Sequence, residues 1–228
     1  EIRSKIQENQ NEQEPKVQEV QETNTVDGKF VVPQIDITKC DLYKNIIIAG
    51  GHSATKIRLI KKIIDINKYQ ITYVFGDVRN ECDFIPAEYK FQSNNIVEIL
   101  KQLFGVQYQK EINSKPMAKI LIILYNAGQY LENTDLHIYF GVSPRYMSFI
   151  VIPDTDSNPK YLSLLEINSK KFGYCFFANT YGINVRNIMA NFTGVSFSIV
   201  KQLFLTLPTD GFIVTDTSHP KFLQYHIL

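Results

Sequence analysis

The residues with the most chemical potential fall in one short stretch, Ala49-Gly50-Gly51-His52-Ser53-Ala54-Thr55-Lys56-Ile57. A phosphate-binding loop has the pattern G-x-x-x-x-G-K-[ST] and joins a strand to a helix whose first N–H groups face the anion. Gly50 fits the first glycine and Lys56 the lysine, while Thr55 stands at the second glycine and Ile57 at the magnesium-binding hydroxyl. The second glycine lets successive N–H groups turn onto the phosphates. A β-branched residue forced to positive φ there costs about 1–3 kcal/mol. Isoleucine offers no oxygen to a metal. The expectation is a degenerate phosphate loop at Gly50, Gly51, Thr55, Lys56 and Ile57, with weak anion affinity at best. The plainer reading is a strand–helix turn with a surface lysine and a loop histidine, His52.

The same residues approximate a second motif. Gly51-His52-Ser53-Ala54-Thr55 resembles the G-x-S-x-G nucleophile elbow, and Asp154 or Asp216 with His219 or His226 follow in the chain order of a hydrolase triad. An α/β-hydrolase needs several strands and an oxyanion loop before its elbow. Here only a polar tail and a short entry segment precede it, so the hydrolase is a remote alternative.

A working phosphoryl-transfer site also needs an acid at the end of a neighbouring strand, to hold magnesium and orient water. Lys119–Leu124 (KILIIL) is the candidate strand, and it ends in Tyr125-Asn126, neither a carboxylate. Asn126 could hydrogen-bond a water but is a weak metal ligand and a poor base. Glu132 and Asp135 lie farther on and read as solvated charges. Three separate elements of magnesium and phosphate handling are altered together.

The elements that must position these residues alternate between two periods. Asn45–Ala49, Gln70–Phe75, Lys119–Leu124, Met147–Ile152, Phe172–Phe177 and Gly211–Thr215 read as strands, several apolar throughout. Thr55–Asn67, Asn95–Phe104, Tyr161–Ile167, Ile183–Phe192 and Ser196–Leu207 read as helices. Strands without polar faces, separated by helices, predict an α/β fold with a mainly parallel sheet covered on both sides. Residues 1–29 are rich in Gln, Glu and Asn and carry seven acids and four bases, a net of −3 against +1 for the whole chain. Apolar residues there are too sparse to offset the entropy of ordering, which predicts a disordered polar tail or partner-binding arm before a single domain at 30–228. The first residue is Glu, consistent with a fragment or a processed chain.

Composition excludes several classes. Charge is too balanced for strong nucleic-acid binding, which rests on many phosphate contacts, so contact with DNA stays open. Three scattered cysteines (Cys40, Cys82, Cys175) suggest reduced thiols, not a disulfide frame or a zinc site. The sequon Asn191-Phe192-Thr193 is then accidental. No run approaches the roughly 18 apolar residues of a membrane span.

Taken in order, these segments resemble the poxvirus-type DNA-packaging ATPases of large DNA viruses, relatives of the FtsK–HerA motors. The resemblance runs from about Asn45 to Thr217. IIIAGGHSATKIRLIKKII is similar to that family's phosphate loop and helix, and KILIILYN to its acidic strand with the acids lost. In PRYMSFIVIPDTD, Arg145 fits an arginine, and Asp154 or Asp156 lies at a polar sensor that is usually glutamine. FGYCFFANTYGINVRNIMANFTG and GFIVTDTS resemble the next strand and helix and the closing strand. The resemblance implies a P-loop NTPase-like scaffold, assembly into rings and ATP-driven DNA movement, and the departures remove the last. The expectation is a pseudo-ATPase without metal or tightly held cofactor. It would act as a virion-structural or interaction module in the virion or host cytoplasm, in a homo- or hetero-oligomer with an active paralogue or capsid component. A divergent but active ATPase, borrowing groups from a subunit neighbour, is the alternative.

Overall fold

The computed structural model describes residues 25–26, 29–92, 95–127, 130, 133–142, 145–153, 171–180 and 182–228. The expected tail and the helix expected at Tyr161–Ile167 lie almost wholly or wholly outside them. Two short strands, β1 (Thr25–Val26) and β2 (Lys29–Phe30), pair with each other. The main elements follow as β3 (Ile46–Ala49), α1 (Ser53–Asn67), β4 (Ile71–Phe75), β5 (Lys90–Phe91), α2 (Ile96–Ile112), β6 (Ile120–Tyr125), α3 (Leu136–Val142), β7 (Ser148–Ile152), β8 (Tyr174–Ala178), α4 (Ile183–Thr193), α5 (Phe197–Thr206), β9 (Gly211–Asp216) and β10 (Leu223–Ile227).

Eight strands form one sheet in the order β10-β9-β8-β3-β7-β6-β4-β5. Pairing is parallel from β8 through β5, whereas β9 and β10 add antiparallel strands at one edge. Each central strand sends alternate residues to opposite faces, as the two-residue period requires. Ile46, Ile48, Leu121, Ile123 and Tyr125 join Leu59, Ile60 and Ile63 of α1 in one core. Ile47, Ala49, Ile122 and Leu124 join residues of α2, α3, α4 and α5 in the other. Leu59, Ile60 and Ile63 are fully buried, and each such side chain contributes about 1.5–3 kcal/mol.

The sheet corrects one expectation. Strand β6 is not a neighbour of β3, because β7 lies between them. Several elements also exceed the sequence reading. Helix α2 runs on past Phe104 because Gln107, which looks like a surface residue, is buried and donates to the carbonyls of Ala118 (2.5 Å) and Tyr146 (3.2 Å). Strand β10 arises from the mixed sequence LQYHI, whose main chain bonds β9 on one side and takes Gln34 as a parallel bridge on the other. Helix α3 packs on β7 through buried Phe140, whose ring meets Phe149 edge-on with centroids 5.0 Å apart.

Candidate functional site

The parallel strands end on one edge, where the order of an open α/β sheet places ligands. There the chain after β3 turns within three residues, Gly50-Gly51-His52, and α1 begins at Ser53. Both glycines have positive φ, +74° and +72°. A Cβ on Gly51 would lie 2.4 Å from Ala178 Cβ, and one on Gly50 would lie 3.0 Å from the Ala178 carbonyl oxygen. The turn is therefore pressed against the end of β8, and only glycine fits it.

This early helix start changes the reading of Thr55. The phosphate-loop pattern would require positive φ at that position, but Thr55 is helical, buried, and donates its hydroxyl to the Thr209 carbonyl at 3.4 Å. The expected strain at Thr55 is absent because the two glycines complete the turn before it. Lys56 N–H donates to the His52 carbonyl at 3.2 Å and so closes the first helical turn. The Lys56 ammonium lies over the Tyr125 ring, 5.9 Å from its centroid, a cation–π arrangement. Ile57 packs half-buried in the core on the α1 face.

A carboxylate that the sequence reading missed reaches this turn. Ser53 Oγ donates to Glu81 Oε1 at 2.7 Å. Glu81 stands in the loop after β4, and that loop is fixed by Asp77, whose buried carboxylate accepts from the N–H groups of Glu81 (2.8 Å) and Cys82 (2.7 Å). Partial burial pushes the Glu81 carboxyl up, but the Tyr125 and Ser53 hydroxyls and the charges of Lys56 and Arg79 outweigh it and hold the group below its usual range. The Tyr125 hydroxyl is pushed upward by burial and by Glu81. It is buried beside Glu81 and Ser53. The signal that could have found Glu81 is the acid-containing segment Gly76-Asp77-Val78-Arg79-Asn80-Glu81, directly after a strand that ends on the ligand edge.

The remaining sites fall elsewhere. Asn126, at positive φ, donates to the Gly76 carbonyl at 3.3 Å and ties the end of β6 to the loop after β4. Arg145 precedes β7 at the opposite edge of the sheet, where its guanidinium pairs with Glu111 at the end of α2. Tyr146 donates to the same carboxylate at 2.6 Å. Asp154 and Asp156 lie outside the described residues. The triad is not assembled: Ser53 donates to a carboxylate, and Asp216 accepts from Ser218 at the far end of β9. His219 contacts Ser218, and His226 contacts Ile35 and Lys62. Among the described residues no group of three or more His, Cys, Asp or Glu could hold a metal ion, and no helix is long and apolar enough to cross a membrane.

No family model matches the chain, and no curated protein matches it in sequence. Solved structures do. The chain is similar to the genome packaging NTPase B204 from Sulfolobus turreted icosahedral virus 2. Against its complex with ATP-gammaS the TM-score is 0.53 at 11% identity, over 82% of this chain and 98% of that one. Against its complex with AMPPCP the TM-score is 0.55 at 11% identity, with the same coverage. The cytoplasmic domain of the Thermomonospora curvata type VII secretion ATPase EccC matches with a TM-score of 0.55 at 12% identity, over 81% of this chain and 25% of that one. At these identities the likeness is one of fold: the chain has a P-loop NTPase-like α/β architecture, the one found in a viral genome packaging NTPase.

Proposed function

We propose that this chain is a catalytically degenerate relative of viral packaging ATPases, acting as a virion-structural or interaction module. The observation that carries the reading is the closed turn at the start of α1. Lys56 N–H is spent on the helix, Ile57 is packed in the core, and the Glu81 carboxylate rests on Ser53. A negative side chain at a helix N-terminus satisfies the field that would otherwise attract a phosphate. Strand β6 delivers Tyr125 and Asn126, so no carboxylate from that strand serves a metal or a water. The fold shared with B204 supports a place beside a packaging machine, with an active paralogue or a capsid component as partner in the virion or host cytoplasm. Contact with DNA stays outside this reading.

A divergent active ATPase is the second reading, and one observation favours it. Ser53 and Glu81 pair a hydroxyl with a carboxylate near Lys56, the chemical types a magnesium–phosphate site uses. Phosphate release from ATP with magnesium separates the two. The degenerate module gives background release; the divergent enzyme gives release that Lys56→Ala abolishes.

A further inference from the structure

We propose that the Lys62–His226 contact is a proton-operated latch: protonating His226 frees the second half of α1 from the β10 edge and leaves the entry segment, residues 33–36, in place. The inference stands apart from the reading of the turn at the start of α1. Thr55, Arg58 and Lys62 are spaced i, i+3 and i+7, which puts them on one stripe of the helix. All three reach across to the antiparallel edge of the sheet. Thr55 donates to the Thr209 carbonyl just before β9, Arg58 lies 3.8 Å from Asp210, and the Lys62 ammonium lies 3.2 Å from His226 Nε2 on β10. The Arg58 pair is open to water, where an ion pair contributes little. The second half of the stripe therefore rests on Lys62.

The partners fix the state of the imidazole. His226 is 6% exposed, and its Nδ1 lies 3.2 Å from the Ile35 carbonyl oxygen. A carbonyl only accepts, so Nδ1 carries the proton; an ammonium only donates, so Nε2 offers its lone pair. The neutral ring thus joins β10, α1 and the entry segment at one point. Among the described residues, the charged groups facing it are Lys62 from α1 and Asp36 from the entry segment. A second proton enters at Nε2, the atom that holds Lys62. Nε2 then has no lone pair to offer, and two cations stand 3.2 Å apart. Lys62 is half-buried on a flexible stem and swings its ammonium to water. The imidazolium stays, because its bond to the Ile35 carbonyl becomes charge-assisted and the Asp36 carboxylate attracts it. Main-chain bonds from Ile35 N–H to the Tyr225 carbonyl (2.8 Å) and from Tyr225 N–H to the Pro33 carbonyl (2.9 Å) hold the entry segment on β10 in either state. The latch is directional: α1 loosens and the entry segment does not.

Long-range proton–nitrogen NMR correlation on the full chain with labelled imidazoles reads the tautomer, and His226→Gln assigns its signal among the four histidines. At pH 7.5 His226 should be the Nδ1–H tautomer. Lys62→Met keeps the apolar stem and removes the charge, and should raise the His226 titration midpoint by roughly half a pH unit or more; Asp36→Asn should lower it. Amide exchange, normalised at each pH to the unfolded chain, reports local opening. As His226 protonates, exchange should speed by about threefold or more across residues 63–67 of α1, with Ile35 unchanged or slower. In Lys62→Met that step in α1 should vanish. An Nε2–H tautomer at pH 7.5 overturns the proposal. An unmoved midpoint in Lys62→Met overturns it too, as does a step that appears at Ile35 and not in α1.

Discussion

Gly51→Ala tests whether the turn after β3 is as tightly closed as its geometry implies. Two costs combine. Gly51 has φ +72°, a left-handed conformation that costs an L-residue about 1–2 kcal/mol. The added methyl would lie 2.4 Å from Ala178 Cβ, well inside the roughly 3.5–4.0 Å of comfortable carbon contact. Relieving it means moving the turn away from β8 or forcing β8 outward, and such overpacking costs about 1–3 kcal/mol. The sum is about 2–5 kcal/mol. With a urea dependence of about 2 kcal/mol per molar, the unfolding midpoint should fall by about 1–2.5 M. Equilibrium urea denaturation followed by circular dichroism reads this directly. A midpoint within about 0.3 M of wild type would refute the closed turn, because an open phosphate loop has room for a methyl group.

Further expectations follow from the same contacts. Gly105→Ala, in α2 where a Cβ meets nothing within 4 Å, should stabilise by about 0.8–1 kcal/mol in the same assay. Asp77→Asn replaces one of two acceptors with a donor facing an N–H group, and should cost about 1–3 kcal/mol, with faster amide exchange at Glu81 and Cys82. His226 is held neutral by burial and by Lys62, whose ammonium lies 3.2 Å from Nε2, so its folded pKa lies below the ordinary 6.5. The unfolded chain therefore takes up the proton first, and stability complete above about pH 6.5 should fall as pH drops below it. His226→Gln should flatten that part of the urea midpoint profile between pH 7.5 and 5.5.

The strands were legible because burial on both faces leaves apolar runs such as NIIIA and KILIIL that no helix period explains. Strand β10 was not, since its LQYHI mixes polar and apolar residues and is defined by main-chain pairing with β9. Helix α2 looked short because Gln107 is polar in type but buried by its bonds to two carbonyls. At the site, the sequence shows directly that Ile57 offers no hydroxyl and that β6 ends in Tyr125-Asn126 with no carboxylate. The start of α1 could not, because a motif with fixed spacing assumes a longer loop than two left-handed glycines need. Glu81 was hidden by distance: it is 28 residues from Ser53 and meets it only after the loop beyond β4 folds back across the sheet edge. Arg145 shows the limit of reading a motif by order, since parallel strands put the start of β7 at the opposite edge from the end of β3.

The central claim is that this P-loop NTPase-like fold has given up nucleotide chemistry. Calorimetric titration of ATP with and without magnesium, alongside phosphate release, tests it on the intact chain and on Lys56→Ala. Without a bound metal, charge developing on the phosphoryl group loses its chief stabiliser. With the Glu81 carboxylate engaged by Ser53 and no acid at the end of β6, general-base help worth a rate factor of about 10²–10⁴ also goes. The account predicts release at background and, at best, weak ATP binding that magnesium does not strengthen. Micromolar, magnesium-dependent binding with turnover abolished by Lys56→Ala would contradict it.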